Sequence, residues 1–166
     1  MDDAARKTAL RMIPYGIYVL TAEDKDGVAA ATVNWVTQTS FNPPLVAVAV
    51  KADSGAYSVI GRTGAFALNM LAKGQQGAAF AFFKPAQRDG DKIGGEPARK
   101  GGNGAPLLVN ALAAVECKVV ETVRQGDHHV IVGEVVEAHL NKSVEGRPDA
   151  AILEMKDLGA NVFYGG

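Results

Sequence analysis

Ten consecutive residues, Thr32-Val33-Asn34-Trp35-Val36-Thr37-Gln38-Thr39-Ser40-Phe41, carry more hydroxyl and amide side chains than a buried strand ordinarily holds. Pro43-Pro44 follows and prevents any helix there. Thr and Ser suit the solvent face of a strand, so one reading is an exposed strand face. The other is a ligand wall. A flat heteroaromatic ring needs hydrogen bonds along one edge and apolar contact on its faces, and backbone amides with Asn34, Gln38 and Trp35 offer both. A second chemical pair is His128-His129, directly after Arg124-Gln125-Gly126-Asp127. Adjacent strand residues point to opposite faces, so only one of the two can face a site. His128 shares its face with Val130 and Val132, and His129 shares its face with Ile131, Gly133 and Val135, so alternation leaves the choice open.

Other familiar catalytic patterns are missing from the sequence. It contains no Gly-x-x-x-x-Gly-Lys phosphate loop, no His-Glu-x-x-His zinc helix and no nucleophile elbow. Gly94-Gly95 and Gly101-Gly102-x-Gly104 are not set between a strand and a helix, which disfavours a dinucleotide fingerprint of the Rossmann kind. Cys117 is the single cysteine, so neither an internal disulfide nor a cysteine metal cluster is expected. Its place between Val115 and Val119 reads as a buried structural thiol.

The elements that must position these residues are mostly strands. Residues 4–13 predict a short amphipathic helix stopped by Pro14, suited to capping a barrel end. Ile17 to Leu20 and Val28 to Trp35 predict two strands joined by the charged turn at 23–27, and Leu45 to Val50 predicts a third. Residues 52–63 predict a helix with Ser54 as a possible cap and Gly64 as the stop. A strand over 65–71 and a helix over 75–83 follow. From Lys84 to Pro106, Gly, Pro, Lys and Asp dominate, and a long functional or mobile loop is expected. Two long strands, 112–123 and 128–140, form a hairpin, and Val162-Phe163-Tyr164 is too apolar for a free tail. The pattern is mainly β with accessory helices, and a closed Greek-key barrel is the leading architecture.

At 166 residues the chain suits one domain spanning 1–166, and 48% hydrophobic against 21% charged residues is an ordinary globular balance. A formal charge of −1 gives no general basic footprint, so neither nucleic acid nor an acidic membrane is expected as partner. Met1 to Met12 is charged and lacks an apolar run, which predicts neither signal peptide nor spanning helix and favours the cytoplasm.

Gly16-Ile17-Tyr18-Val19-Leu20-Thr21 and Asn34-Trp35-Val36-Thr37-Gln38-Thr39-Ser40-Phe41-Asn42-Pro43-Pro44-Leu45 resemble the flavin reductase-like, FMN-binding split-barrel family. Phe66-Ala67-Leu68-Asn69-Met70-Leu71, Gly104-Ala105-Pro106-Leu107, Val115-Glu116-Cys117, Gly126-Asp127-His128 and Gly133-Glu134-Val135 extend the resemblance over nearly the whole chain. It implies a Greek-key split β-barrel, a homodimer, and flavin bound near the subunit interface. It implies FMN, with FAD as the other flavin, and NADH or NADPH as the donor of hydride to the flavin. The flavin-contacting stretch would be Asn34, Trp35, Val36, Thr37, Gln38, Thr39 and Ser40.

The phosphate would sit just after the third strand, at Lys51, Ser54 and Tyr57, where a lysine and a hydroxyl beside a helix start form a local counter-site. Asp53 is an awkward neighbour there. Lys84 is a second cationic candidate. The motif Gly126-Asp127-His128 places His128 at the nicotinamide side as the catalytic residue, with His129 toward solvent or the neighbouring subunit. Nicotinamide and flavin would then lie roughly 3–3.5 Å apart with water excluded. Electrons would pass to a monooxygenase or other acceptor. Two alternatives carry different chemistry: an FMN-retaining electron carrier with little NAD(P)H turnover, and a flavin-free barrel for a small apolar ligand.

Overall fold

The structure, a computed structural model, describes residues 1–165. Helix α1 (Asp3–Arg11) opens the chain. Strand β1 (Tyr18–Asp24) turns into β2 (Gly27–Val33) through Lys25-Asp26, and the Asp24 carboxylate accepts from the amides of Asp26 and Gly27 to close the turn. β3 (Val36–Ser40) and β4 (Leu45–Lys51) form a second antiparallel pair. Helix α2 (Gly55–Thr63) leads to β5 (Ala65–Met70) and α3 (Gln76–Ala81). Four short strands follow, β6 (Arg88–Asp89), β7 (Lys92–Ile93), β8 (Glu96–Lys100) and β9 (Pro106–Leu108). The long hairpin β10 (Ala113–Val123) and β11 (His128–Leu140) comes next, then α4 (Pro148–Ala151) and a 3₁₀ turn (Met155–Leu158).

The main sheet has seven strands in the order β2-β1-β5-β10-β11-β4-β3. The chain leaves β4, crosses as α2 and enters β5 beyond the β10–β11 hairpin, which is the long return of a Greek key. β2 and β3 are the two free edges, so the barrel is split, not closed as the strand pattern alone suggested. Those edges are nevertheless consecutive in sequence. Only Asn34 and Trp35 connect Val33 to Val36, and three Cα steps reach at most about 11 Å. The sheet must therefore curl until its edges nearly meet; on the β3 side, the Ala49 amide donates to the Trp35 carbonyl at 3.0 Å and carries the β3–β4 pairing one residue past Val36. This also corrects the single strand expected over 28–35. The chain turns at Asn34, whose carbonyl accepts from the Val36 amide at 3.1 Å, and changes edge.

Alternation along the strands makes two cores. Leu20, Val48, Val50, Phe66, Leu68 and Ile131 fill the inside of the curl under Val59 and Ile60 of α2, while Val19 and Ile17 face outward against Leu71, Phe82, Ile93 and Leu153. Cys117 lies fully buried in the inner core, where burial first and the Glu116 charge second push its thiol up to about 12. It is a structural residue, as its strand position predicts.

Two further expectations are corrected. The stretch from Lys84 to Pro106 is not a structureless loop but contains the four-stranded sheet β6-β7-β8-β9. Glycines at positive φ, Gly90 (59°) and Gly94 (57°), make its tight turns, and buried Ile93, Leu107 and Leu108 tie it down. Buried polar groups complete the attachment: Thr21 Oγ1 donates to the Pro106 carbonyl and the Leu108 amide donates to Asn69 Oδ1. Glu116 holds the preceding turn in the same way, accepting from the Asn103 amide at 2.6 Å and pairing with His139 at 2.7 Å. Burial alone would push its carboxyl up, but those hydrogen bonds and one from the Gly102 amide hold it below the usual range. The second correction concerns α1, which is capped by Asp2 but buries none of its residues and so does not plug a barrel end. Its apolar side is mostly alanine, too small to drive packing by itself.

Gly133 on β11 is required for space. A Cβ there would meet the Phe66 ring at 2.6 Å and the Cys117 Cβ at 3.0 Å. Gly133→Ala should lower stability by about 1–3 kcal/mol through overpacking, read as a reduced denaturation midpoint with an unchanged m-value.

Candidate functional site

A cleft of about 320 Å³ opens beside the seam. β2 contributes Ala31 to Val33, β4 contributes Ala49 to Lys51, Phe82 and Phe83 follow α3, and the C-terminal segment brings Val162 to Tyr164. The volume falls within the range of small-ligand sites. The walls are largely apolar, with Asn34, Lys51, Ser54 and His128 as the convergent polar groups.

Register explains why two of these meet. His128 is the direct cross-strand partner of Lys51, so both side chains leave the β4–β11 pair on one face. The Ala52 amide donates to the Asp127 carbonyl at 3.0 Å and holds the 124–127 turn against the end of β4. Ser54 arrives next as the cap of α2: its hydroxyl accepts from the Tyr57 amide at 3.1 Å. Lys51 Nζ pairs with Asp53 at 3.1 Å, both side chains largely exposed, so this ion pair is weak and exchangeable. The end of β4 thus presents an ammonium, a hydroxyl and the start of a helix.

On the neighbouring strand His128 is held by two groups. Its Nδ1 lies 2.9 Å from Asp127 Oδ1 and its Nε2 lies 2.7 Å from the Tyr164 hydroxyl. The hydrogen bond to His128, ahead of its charge, keeps the Asp127 carboxyl below the ordinary range, so it is ionised at neutral pH. In the neutral form of the imidazole, that ionised acceptor fixes the tautomer: Nδ1–H donates to Asp127, and Nε2 accepts from Tyr164. Burial, then the nearby Asp127 and Asp53 carboxylates against the opposing pull of Lys51, raises the Tyr164 hydroxyl and keeps it protonated as that donor. Trp35 stands against His128 edge-on, ring centroids 4.8 Å apart, and tilts against Tyr164 at 5.5 Å. Its indole Nε1 is buried and has no hydrogen-bond partner among the described residues.

The structure therefore brings together Asn34, Trp35, Lys51, Ser54 and His128. It does not bring in the others. Val36 packs against the inner core, and Thr37, Gln38 and Thr39 are exposed on the edge strand, where Gln38 Nε2 donates to the Ser40 carbonyl at 3.1 Å. Tyr57 turns the other way, to His129 Nδ1 at 2.8 Å, and Lys84 is exposed beside Phe83. His129 is half-buried on that helix contact, not turned to solvent. Missed by residue chemistry were Phe82, Phe83 and Tyr164; the apolar ending Val162-Phe163-Tyr164 was the available signal for the last. Among the described residues no group of three or more His, Cys, Asp or Glu could hold a metal ion. Among them, too, no helix is long and apolar enough to cross a membrane.

A curled, open sheet with a cleft of small-ligand size at its seam, apolar walls, and a cation beside an imidazole defines a split-barrel protein. The chain belongs to the flavin reductase-like family: the model of the flavin reductase like domain matches residues 10–156. It is 32% identical to a flavin reductase of Pseudomonas putida, over 89% of this chain and 82% of that protein. It is 31% identical to diflavin flavoprotein A 1 of Synechocystis, but this match covers 85% of the chain and 25% of the longer protein. The chain thus spans about a quarter of the diflavin proteins it matches. Among solved structures, the NADH:FAD oxidoreductase SgcE6 of Streptomyces globisporus superposes with a TM-score of 0.72 at 28% identity, covering 84% of both chains. That protein is also described in complex with NAD and FAD fragments.

Ser54 tests the local build of the cationic corner. Ser54→Ala should cost about 1 kcal/mol of stability by removing the helix cap, and Ser54→Gly only a few tenths, measured by chemical denaturation.

Proposed function

We propose that this chain is an NAD(P)H-dependent flavin reductase that binds FMN, accepts FAD as the other flavin, and passes electrons to a downstream acceptor such as a monooxygenase. The observation that carries the reading is the cross-strand pairing of Lys51 with His128 on the wall of one apolar cleft. The residues present fit the flavin. Lys51 and Ser54 suit a phosphate monoester, and the aliphatic and aromatic walls suit a flat ring. Bound flavin would supply the hydride-accepting chemistry, which no side chain here offers.

The chain's own residues then have defined work. Lys51 Nζ exchanges Asp53 for the phosphate, and Ser54 adds a hydroxyl without leaving its cap. Asp127 fixes the His128 tautomer so that Nε2 presents a lone pair to the nicotinamide side. Phe82 and Phe83 keep water from the apolar part of the cleft. Thr37 to Ser40, left on an exposed edge beside Phe41, are suited to face a second copy of the chain, in keeping with a homodimer whose flavin lies near the interface. A cytoplasmic setting fits a chain whose lone cysteine is buried and unbridged. The match to diflavin flavoproteins supports a second reading, an FMN-retaining electron carrier. Yellow protein that keeps its flavin through gel filtration yet oxidises neither NADH nor NADPH would select it.

His128→Ala should slow flavin reduction by NAD(P)H roughly tenfold, as expected for about 1.4 kcal/mol of lost transition-state stabilisation, with FMN affinity near normal in stopped-flow bleaching. His129→Ala should leave the bleaching rate close to wild type. If His129→Ala slows it and His128→Ala does not, the assignment is wrong. On the facing strand, Lys51→Glu should weaken FMN much more than riboflavin in a fluorescence titration. Equal loss for both ligands removes Lys51 from the phosphate site.

A further inference from the structure

Both ring nitrogens of His128 are taken in this structure. Nδ1 is bound to Asp127, and Nε2 accepts from the Tyr164 hydroxyl at 2.7 Å. No ligand can use Nε2 while Tyr164 holds it. The neighbouring donor, Trp35 Nε1, is in the opposite condition: it is buried and unpartnered among the described residues, and the backbone at Gly165 lies over it, so close that a Cβ there would sit 3.4 Å from Nε1. As far as Gly165, the described part of the tail covers this donor without supplying an acceptor, and a buried N–H left in that state is costly. The seat satisfies the tail at one point and leaves its own donor unmet at the next.

The tail is also lightly held. Besides His128, the Tyr164 carbonyl accepts from Asn34 Nδ2 at 3.1 Å, the Gly165 carbonyl accepts from Arg11 Nε at 3.3 Å, and the Arg11 guanidinium lies 4.2 Å from the Phe163 ring centre. Arg11 itself belongs to α1, which buries nothing. Val162 packs on the outer core and its amide donates to the Gly159 carbonyl at 3.1 Å, but the residues after it join no strand, and Phe163 and Tyr164 are about half exposed. Such a segment opens at little cost.

We propose that residues Val162 to Gly165 are a displaceable plug in the nicotinamide subsite, with Tyr164 standing in for the ligand on His128 and Trp35 Nε1 as an additional recognition donor. The two unmet demands specify the chemistry of the incoming group. His128 Nε2 needs a hydrogen donor, and Trp35 Nε1 needs an acceptor beside it. A primary carboxamide carries both on one carbon: its NH₂ replaces the Tyr164 hydroxyl, and its carbonyl meets the indole N–H. A carboxylate in its place offers no donor to Nε2. This inference rests on the reading of the cleft as a flavin and pyridine nucleotide site.

Occupancy by the tail lowers apparent affinity, because ligand binds only the open fraction. A tail seated about four-fifths of the time weakens binding about fivefold. Trp35 is the single tryptophan, so its emission reports on the seat directly. The test is a titration of the full chain, of Tyr164→Phe and of a chain ending at Asn161, each loaded with FMN, with nicotinamide mononucleotide and nicotinic acid mononucleotide. Calorimetry measures affinity and Trp35 emission the state of the seat. Expected is an affinity for nicotinamide mononucleotide about fivefold higher in both variants, with the acid at least tenfold weaker than the amide throughout. In the full chain the amide should shift Trp35 emission toward that of the shortened chain. Binding that is unchanged or weaker in both variants overturns the plug while leaving the nucleotide site intact. No binding of the amide to any of the three overturns the functional reading itself. Tyr164→Phe keeps the ring and so tests the hydroxyl even if the shortened chain folds poorly.

Discussion

Everything at the site depends on two residues spanning a gap. Asn34 and Trp35 join the two free edges of a seven-stranded sheet, and a two-residue link forces those edges to within about 11 Å. Curling the sheet that far wraps the inner face around Phe66, Leu68, Val48 and Ile131, and the hydrophobic burial there opposes the loss of chain entropy. The link is also the reason for a cleft. A closed barrel would have completed the ladder between β2 and β3, whereas the seam leaves the Asn34 side chain beside a cavity, with Trp35 packed against His128 and Tyr164 of its wall. The polarity of the 32–41 stretch has two separate origins on this view. Asn34 lines the cleft and donates to the Tyr164 carbonyl, whereas Thr37 to Thr39 are exposed because β3 is an edge.

A second constraint is register. The β10–β11 hairpin carries irregularities between Glu116 and Cys117 and between Val119 and Glu121, while β11 runs against β4 with unbroken pairing from His128 to Glu134. Slipping that pairing by one residue would turn His128 toward α2 and His129 toward the cleft. Gly133, which admits the Phe66 ring, and the Tyr57–His129 contact both hold the register observed. Packing far from the cleft thus decides which imidazole faces it.

Much of the fold was legible because its signals are local. The turn at 23–27, the Ser54 cap, the Gly64 stop and the long hairpin each follow from residue types within a few positions. The small sheet over 88–108 was not legible. Its strands are two to five residues long and are stabilised by distant partners, Asn69, Thr21 and Glu116, none of which appears in the local pattern. The break at Asn34 was hidden for the same reason, since it needs a partner edge that only the whole sheet supplies. At the site, the structure gathers Lys51, Ser54, His128 and Asn34 around one cleft with Trp35 packed against His128 and Tyr164, whereas Val36 to Ser40 lie on the edge strand outside it; alternation and edge exposure give Thr and Ser the same look as a ligand wall. Tyr164 lies 36 residues from His128 in sequence, and only tertiary packing connects them.

The central claim is that flavin binds at the seam, against Trp35. As the single tryptophan, Trp35 permits one decisive measurement: titrate the chain with FMN and follow flavin absorbance and tryptophan emission in the same sample. The account predicts that both signals saturate together and that most of the tryptophan emission is quenched at saturation. A saturating absorbance change with tryptophan emission left intact would place the flavin elsewhere and contradict it.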